Sequence, residues 1–156
     1  MTPAIEQAKK NKIFFVLHEY DHDPNIRAYG QEAAEKLGVD PAHLFKTLVV
    51  LTDKRELAVG VVPVSGNLDL KAIAKALGVK KAEMADRQQA QRSTGYITGG
   101  ISPLGQKKQL PTIIDGSALN LDLIFVSAGR RGLQICLSPQ DLASLTKASF
   151  HGISKQ

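Results

Sequence analysis

The chain has a single cysteine, Cys136, among 156 residues. No disulfide can therefore form within it, and a reducing compartment, the cytosol, is the expected location. Long apolar runs are also missing. Nothing approaches the roughly 20 consecutive apolar residues that a membrane-spanning helix needs, and the opening MTPAIEQAKKNK has no apolar signal core. Repeats, low-complexity tracts and linkers are absent too, so residues 1–156 read as one soluble domain with no membrane partner. Hydrophobic residues make up 43% and charged residues 22%, a balance that excludes disorder and allows a real core. Twenty Lys and Arg against 15 Asp and Glu leave a net charge of +5. That suits an anionic partner such as nucleic acid or a nucleotide, and equally an ordinary basic surface.

Periodicity and punctuation divide the chain into alternating elements. Thr2 and Pro3 open a short helix that runs to about Asn11. IFFVLHEY (13–20) reads as a strand, GQEAAEKLG (30–38) as a helix with a glycine stop, and DPAHLF (40–45) as a further helical turn. KTLVVLT (46–52) and ELAVGVVPV (56–64), joined by DKR, form a predicted hairpin. LDLKAIAKALG (68–78) has Leu70, Ile73, Ala74 and Leu77 on one face and Gly78 past its end. A short strand (81–85) and a capped polar helix (86–93) follow. TIID (112–115), LDLIFVS (121–127) and LQICL (133–137) are strand-like, with AGRRG (128–132) as the last turn. SPQDLASL (138–145) is a capped closing helix. The expected fold is a single α/β domain with a curved, barrel-like mixed sheet surrounded by helices.

The chemistry-bearing stretch is STGYITGGISPLGQKK (93–108). Gly100 and Gly105 have P-loop spacing, but Gln106 stands where the P-loop lysine belongs, and no dinucleotide fingerprint is present. Gly99 and Gly100 permit positive φ and close backbone approach, which fits an anion nest, an oxyanion hole or a tight turn. Lys46 opens a strand among apolar residues, either as a snorkelling strand end or as the holder of an anionic ligand. Basic pairs at 80–81, 107–108 and 130–131 suit a phosphodiester backbone if they share a face, and three solvated turns if they do not. In HEYDHD (18–23), His18 and His22 have strand spacing for a metal but lack an evident third ligand, so no metal is expected. Cys136 lies in an apolar strand with no flanking cation, and Ser102 has no nucleophile elbow, so neither reads as a nucleophile.

KTLVV (46–50), EMAD (83–86), the glycine loop, LPTIID, VSAGRRGL and SPQDLA together resemble the YbaK/EbsC family. These are freestanding aminoacyl-tRNA deacylases related to the editing insertion of bacterial prolyl-tRNA synthetase. The resemblance runs from MTPAI through DLASL. It implies trans-editing, in which cysteine is removed from mischarged Cys-tRNA(Pro), and possible action on Cys-tRNA(Cys), in a ternary complex with prolyl-tRNA synthetase and without a cofactor. Such editing is needed because a synthetic pocket discriminates poorly between near-isosteres. By the same resemblance, Lys46 orients the 3′-terminal nucleotide and Gly99 and Gly100 hold the ester carbonyl. Tyr20, Tyr29, Thr47, Ile101, Ser102 and Ser127 then fall at substrate-binding positions. Gln134 departs from the pattern, because some relatives carry Asp there, and is left with a polar lining role. The implied mechanism is attack by the thiol of the esterified cysteine on its own carbonyl. The alternatives are an Ala-tRNA(Pro)-type deacylase and a tRNA- or nucleotide-binding module without catalysis.

Overall fold

The computed structural model describes residues 1–156. Helix ends follow the capping chemistry of the sequence. The Thr2 hydroxyl accepts from the N–H of Ile5 to start α1 (Pro3–Lys10), and Ser138 accepts from the N–H of Asp141 to start the last helix. After β1 (Val16–Glu19) comes α2 (Tyr29–Leu37), which ends on Gly38 at φ +66°. Residues 41–43 form a turn rather than a helix. Asp40 Oδ1 accepts from the N–H of Ala42, but the bridge from Leu44 to Phe125 draws the chain at once into β2 (Phe45–Thr52).

β2 pairs antiparallel with β3 (Leu57–Pro63), as the DKR turn implies. β4 (Asn67–Leu68) precedes α3 (Leu70–Leu77), which starts two residues later than its apolar pattern because Asp69 is its cap. β5 (Ala82–Met84) and α4 (Arg87–Thr94) lead into the glycine loop. Beyond it lie β6 (Thr112–Asp115), β7 (Ile124–Arg130), β8 (Leu133–Leu137), α5 (Pro139–Thr146), β9 (Ser149–His151) and β10 (Ser154–Lys155). β7 runs through Ser127–Arg130 with a register irregularity, so the turn shrinks to Arg131 and Gly132.

The strands form a five-stranded mixed sheet, β5-β2-β3-β6-β9, a three-stranded sheet, β1-β8-β7, and a short pair, β10-β4. Backbone pairing joins the two larger sheets only at the Leu44–Phe125 bridge, and they close no barrel. Alternation along β2 separates two cores. Phe45 and Val49 face the main core, with Ile114, Val126, Ile135 and Leu142. Leu48 and Val50 face a second cluster under α3, with Val62, Ile73 and Ile153. A third cluster packs Ala33 and Ala34 of α2 on Leu44, with Phe125 and Tyr20 against it.

Three C-terminal features escape the sequence pattern: β9, β10 and the 3-10 turn Gly116–Asn120. One buried carboxylate organises them. Asp115 Oδ1 accepts from the N–H groups of Ile153 and Ser154, and Oδ2 from that of Ser117. Replacing Asp115 by Ala orphans three backbone donors, and urea unfolding should show a loss of about 3 kcal/mol or more. A loss below about 0.5 kcal/mol, the scale of an ordinary surface change, would show that the tail is held by something else.

Candidate active site

Along β2, the pairs Leu44–Val64 and Thr52–Glu56 are joined by backbone hydrogen bonds, so even-numbered residues bond to β3. Odd-numbered residues turn their peptide groups to the other edge. There His43 C=O accepts from Phe125, and Val49 C=O accepts from Ala85 beside β5. Between these anchors the peptide groups of Thr47 meet no strand. A cavity of about 460 Å³ opens in this gap, within the size range of small-ligand sites.

Its walls come from five places. β2 contributes Phe45 to Val49, β5 and α4 contribute Met84, Ala85, Arg87 and Ala90, and the start of α2 contributes Ala28 to Gln31. The glycine loop contributes Thr98, Gly99 and Ile101, and the three-stranded sheet contributes Ser127 and Gln134. Ser127 and Gln134 are direct cross-strand partners, which is why residues distant in sequence share one wall.

The glycine loop, which looks flexible in sequence, is held along its length. Tyr96 is buried, its hydroxyl donates to Leu104 C=O at 2.7 Å, and burial pushes its pKa up to about 12. The N–H of Gly105 donates to Gln7 Oε1, and the N–H groups of Lys107 and Lys108 donate to the carbonyls of Thr94 and Ser93. Arg131 Nε donates to Thr98 C=O at 2.8 Å. Ile97 to Gly100 is a tight turn, with Gly99 at φ +88° and the N–H of Gly100 donating to Ile97 C=O.

This turn changes how the two glycines are read. A Cβ on Gly99 would meet the Tyr29 ring at 2.7 Å, and one on Gly100 would meet Arg130 Cα at 2.8 Å. Their bareness thus serves packing within the chain. The N–H of Gly100 is already used in the turn, whereas those of Gly99 and Ile101 donate to no group of the chain. Gly99 and Ile101 both line the cavity and carry N–H groups that are unpaired within the chain.

Of the residues singled out in sequence, Lys46, Thr47, Gly99, Ile101, Tyr29, Ser127 and Gln134 line one cavity. Gly100, Ser102 and Tyr20 do not line it. Ser102 is fully buried, with Oγ accepting from the N–H of Leu104, and Tyr20 packs in the α2 cluster. Burial lowers the Lys46 pKa from its ordinary value, and its ammonium makes no ion pair. Two cations were missed, Arg27 and Arg87, which stand at the rim without an acidic partner. The signal available for them was the one-sided charge of the lining, three cations and no Asp or Glu, and it exists only once the fold brings them together.

His18 and His22 do not converge on a common ligand. His18 packs on the Phe125 ring, 5.1 Å between centroids, and His22 Nδ1 bonds Glu32 Oε1 at 2.6 Å. Burial also raises the Cys136 thiol pKa. Glu32 is buried and ties α2 to the preceding loop through the N–H of Asp23 and through His22, with Lys36 of the same helix as a further partner. Burial alone would raise its pKa, but these partners outweigh it and hold the carboxyl at about 2, below its ordinary 4.5. A depressed carboxyl contributes stability above its unfolded value and loses it as pH falls through the folded one. The Tm gap between the wild type and Glu32→Gln should therefore be full above pH 4.5 and shrink toward pH 2. A gap independent of pH across that window would show that the carboxylate charge is not what holds α2.

Residues 23–145 match the model of the aminoacyl-tRNA editing domain. The chain belongs to this family, a class of enzymes that deacylate aminoacyl-tRNA. It is 39% identical, over 98% of its own length and 93% of the relative's, to an Enterococcus faecalis protein described as "Putative Cys-tRNA(Pro)/Cys-tRNA(Cys) deacylase EbsC". Among solved structures, the fold matches hypothetical protein APE2540 with a TM-score of 0.88 at 23% identity, covering 99% of this chain and 100% of that one. It also matches a structure described as "a putative trans-editing enzyme for prolyl tRNA synthetase", with a TM-score of 0.83 at 21% identity, covering 100% and 99%. No helix is long and apolar enough to cross a membrane.

Proposed function

We propose that the chain is a trans-editing deacylase that clears cysteine from mischarged Cys-tRNA(Pro), with Cys-tRNA(Cys) as a second substrate. The observation that carries this reading is the composition of the cavity. It holds three cations and two free loop N–H groups, and no histidine, cysteine or carboxylate lines it. Such a site binds an anionic, carbonyl-bearing ligand and offers it no nucleophile–base pair. A ligand that brings its own nucleophile suits such a site, and a cysteinyl ester does.

Lys46, with Arg27 and Arg87 at the rim, holds the phosphates of the tRNA 3′ end. The N–H groups of Gly99 and Ile101 donate to the ester carbonyl oxygen and stabilise the negative charge that develops on it. The substrate sulfur attacks the carbonyl carbon, a C–S bond forms, and the C–O bond to the ribose oxygen breaks. That oxygen takes up the proton lost by the thiol. The resulting thiolactone leaves and hydrolyses to cysteine. The similarity to the E. faecalis protein supports cysteine as the amino acid, and association with prolyl-tRNA synthetase would deliver the mischarged tRNA before it escapes.

Deacylation of Cys-tRNA(Pro), Ala-tRNA(Pro) and Ser-tRNA(Pro) tests the reading. The cysteinyl ester alone should be cleared, Cys136→Ala should leave the rate unchanged, and Lys46→Ala should lower kcat/KM by about 10²-fold or more. Clearance of the alanyl ester would remove the thiol mechanism and assign selectivity to pocket size. Arg27→Ala and Arg87→Ala should each flatten the salt dependence of tRNA binding by about one phosphate contact. Unchanged salt slopes in both variants would move the tRNA backbone away from this rim.

A further inference from the structure

Two polar atoms at the cavity wall are buried and have no partner in the chain: Thr47 Oγ1 and Gln134 Oε1. Gln134 is 6% exposed, and its Oε1 can only accept a hydrogen bond. A buried acceptor left empty is costly, so the ligand must bring a donor to it. We propose that Gln134 and Thr47 form a subsite for the α-amino group of the esterified amino acid. This rests on the deacylase reading and adds to it the part of the aminoacyl group that is recognised apart from the thiol.

The choice among donors follows from geometry and chemistry. An aminoacyl ester of cysteine presents three donors near its carbonyl: the α-amino group, the thiol and the ribose 2′-hydroxyl. The thiol is a weak donor, and in the reactive arrangement its sulfur must face the carbonyl carbon. The ribose lies on the nucleotide side. Strand alternation puts Thr47 on the face of Phe45 and Val49, and Lys46, the phosphate holder, on the opposite face with Leu48 and Val50. The amino group, carried on the carbon next to the ester carbonyl, is left for the Thr47 side. It donates one N–H to Gln134 Oε1 and meets the Thr47 hydroxyl with another. Ser127, opposite Gln134 across the strands, accepts through Oγ from the N–H of Gly129, and its hydroxyl makes no hydrogen bond to Gln134 Oε1.

Both acceptors are neutral, so the subsite discriminates by hydrogen bonding. It rejects an ester without the amino group because its acceptor is then left unpaired. Gln at position 134 thus takes a specificity-determining role.

The full-length protein is given Cys-tRNA(Pro) and the same tRNA esterified with 3-mercaptopropionate, which keeps the thiol and ester and lacks only the amino group. Binding is measured separately with 3′-cysteinylamino-3′-deoxyadenosine and its des-amino counterpart, neither of which can be turned over as an ester. The wild type should favour the amino-bearing compound by about tenfold or more in both assays. Gln134→Leu should bring that ratio close to one, and Thr47→Val, which keeps the side-chain shape, should lower it. Equal handling of both compounds by the wild type, or an undiminished ratio in both variants, overturns the subsite. A binding preference without ester turnover would uphold it while overturning the deacylase reading.

Discussion

Backbone N–H and C=O groups inside a protein must find partners, and β2 obeys this on one edge only. β3 covers that edge along the whole strand, whereas the other is closed at its two ends and open at Thr47. The arrangement of the rest of the molecule follows from that half-finished pairing. β5 ends at Met84, one residue before the anchor at Ala85, and the second sheet touches at Leu44 and turns away. The cavity is the volume left where a strand would have continued.

Once the gap exists, its surroundings divide the labour. The main core and the α3 cluster hold β2 from its two faces, so the backbone that carries Lys46 and Thr47 is packed on both sides although they sit at an opening. The glycine loop crosses over with its backbone fastened by Gln7, Tyr96 and Arg131. The Tyr29 ring packs on the Gly99 backbone and carries the Arg131 guanidinium over it, 4.8 Å from the ring centroid. A site fixed in this way supplies position and donors, and no histidine, cysteine or carboxylate lines it.

Much of the helical framework was legible because capping and helix periodicity act over three or four residues. Thr2, Asp86 and Ser138 cap as their spacing suggests, and the hairpin around DKR forms where its flanking strands imply. Errors arose where distant partners decide. Residues 40–45 carry a capping Asp and a proline, yet Leu44 is drawn into a bridge with Phe125. β9 and β10 are too short to show a period and exist because β6, β4 and the Asp115 carboxylate receive them. Tyr20, Gly100 and Ser102 carry suitable chemistry, but the fold directs them to other contacts.

By itself the sequence determined the helices, the hairpin, the excess of positive charge and the presence of a glycine-rich turn. All of these depend on composition or on interactions within a few residues. Only the tertiary structure decided that Thr47 faces an open edge, that Ser127 and Gln134 share a wall with it, and that the free N–H groups belong to Gly99 and Ile101. The reason is physical. Whether a polar group is paired or free depends on which strand ends beside it, and those strands come from positions dozens of residues away.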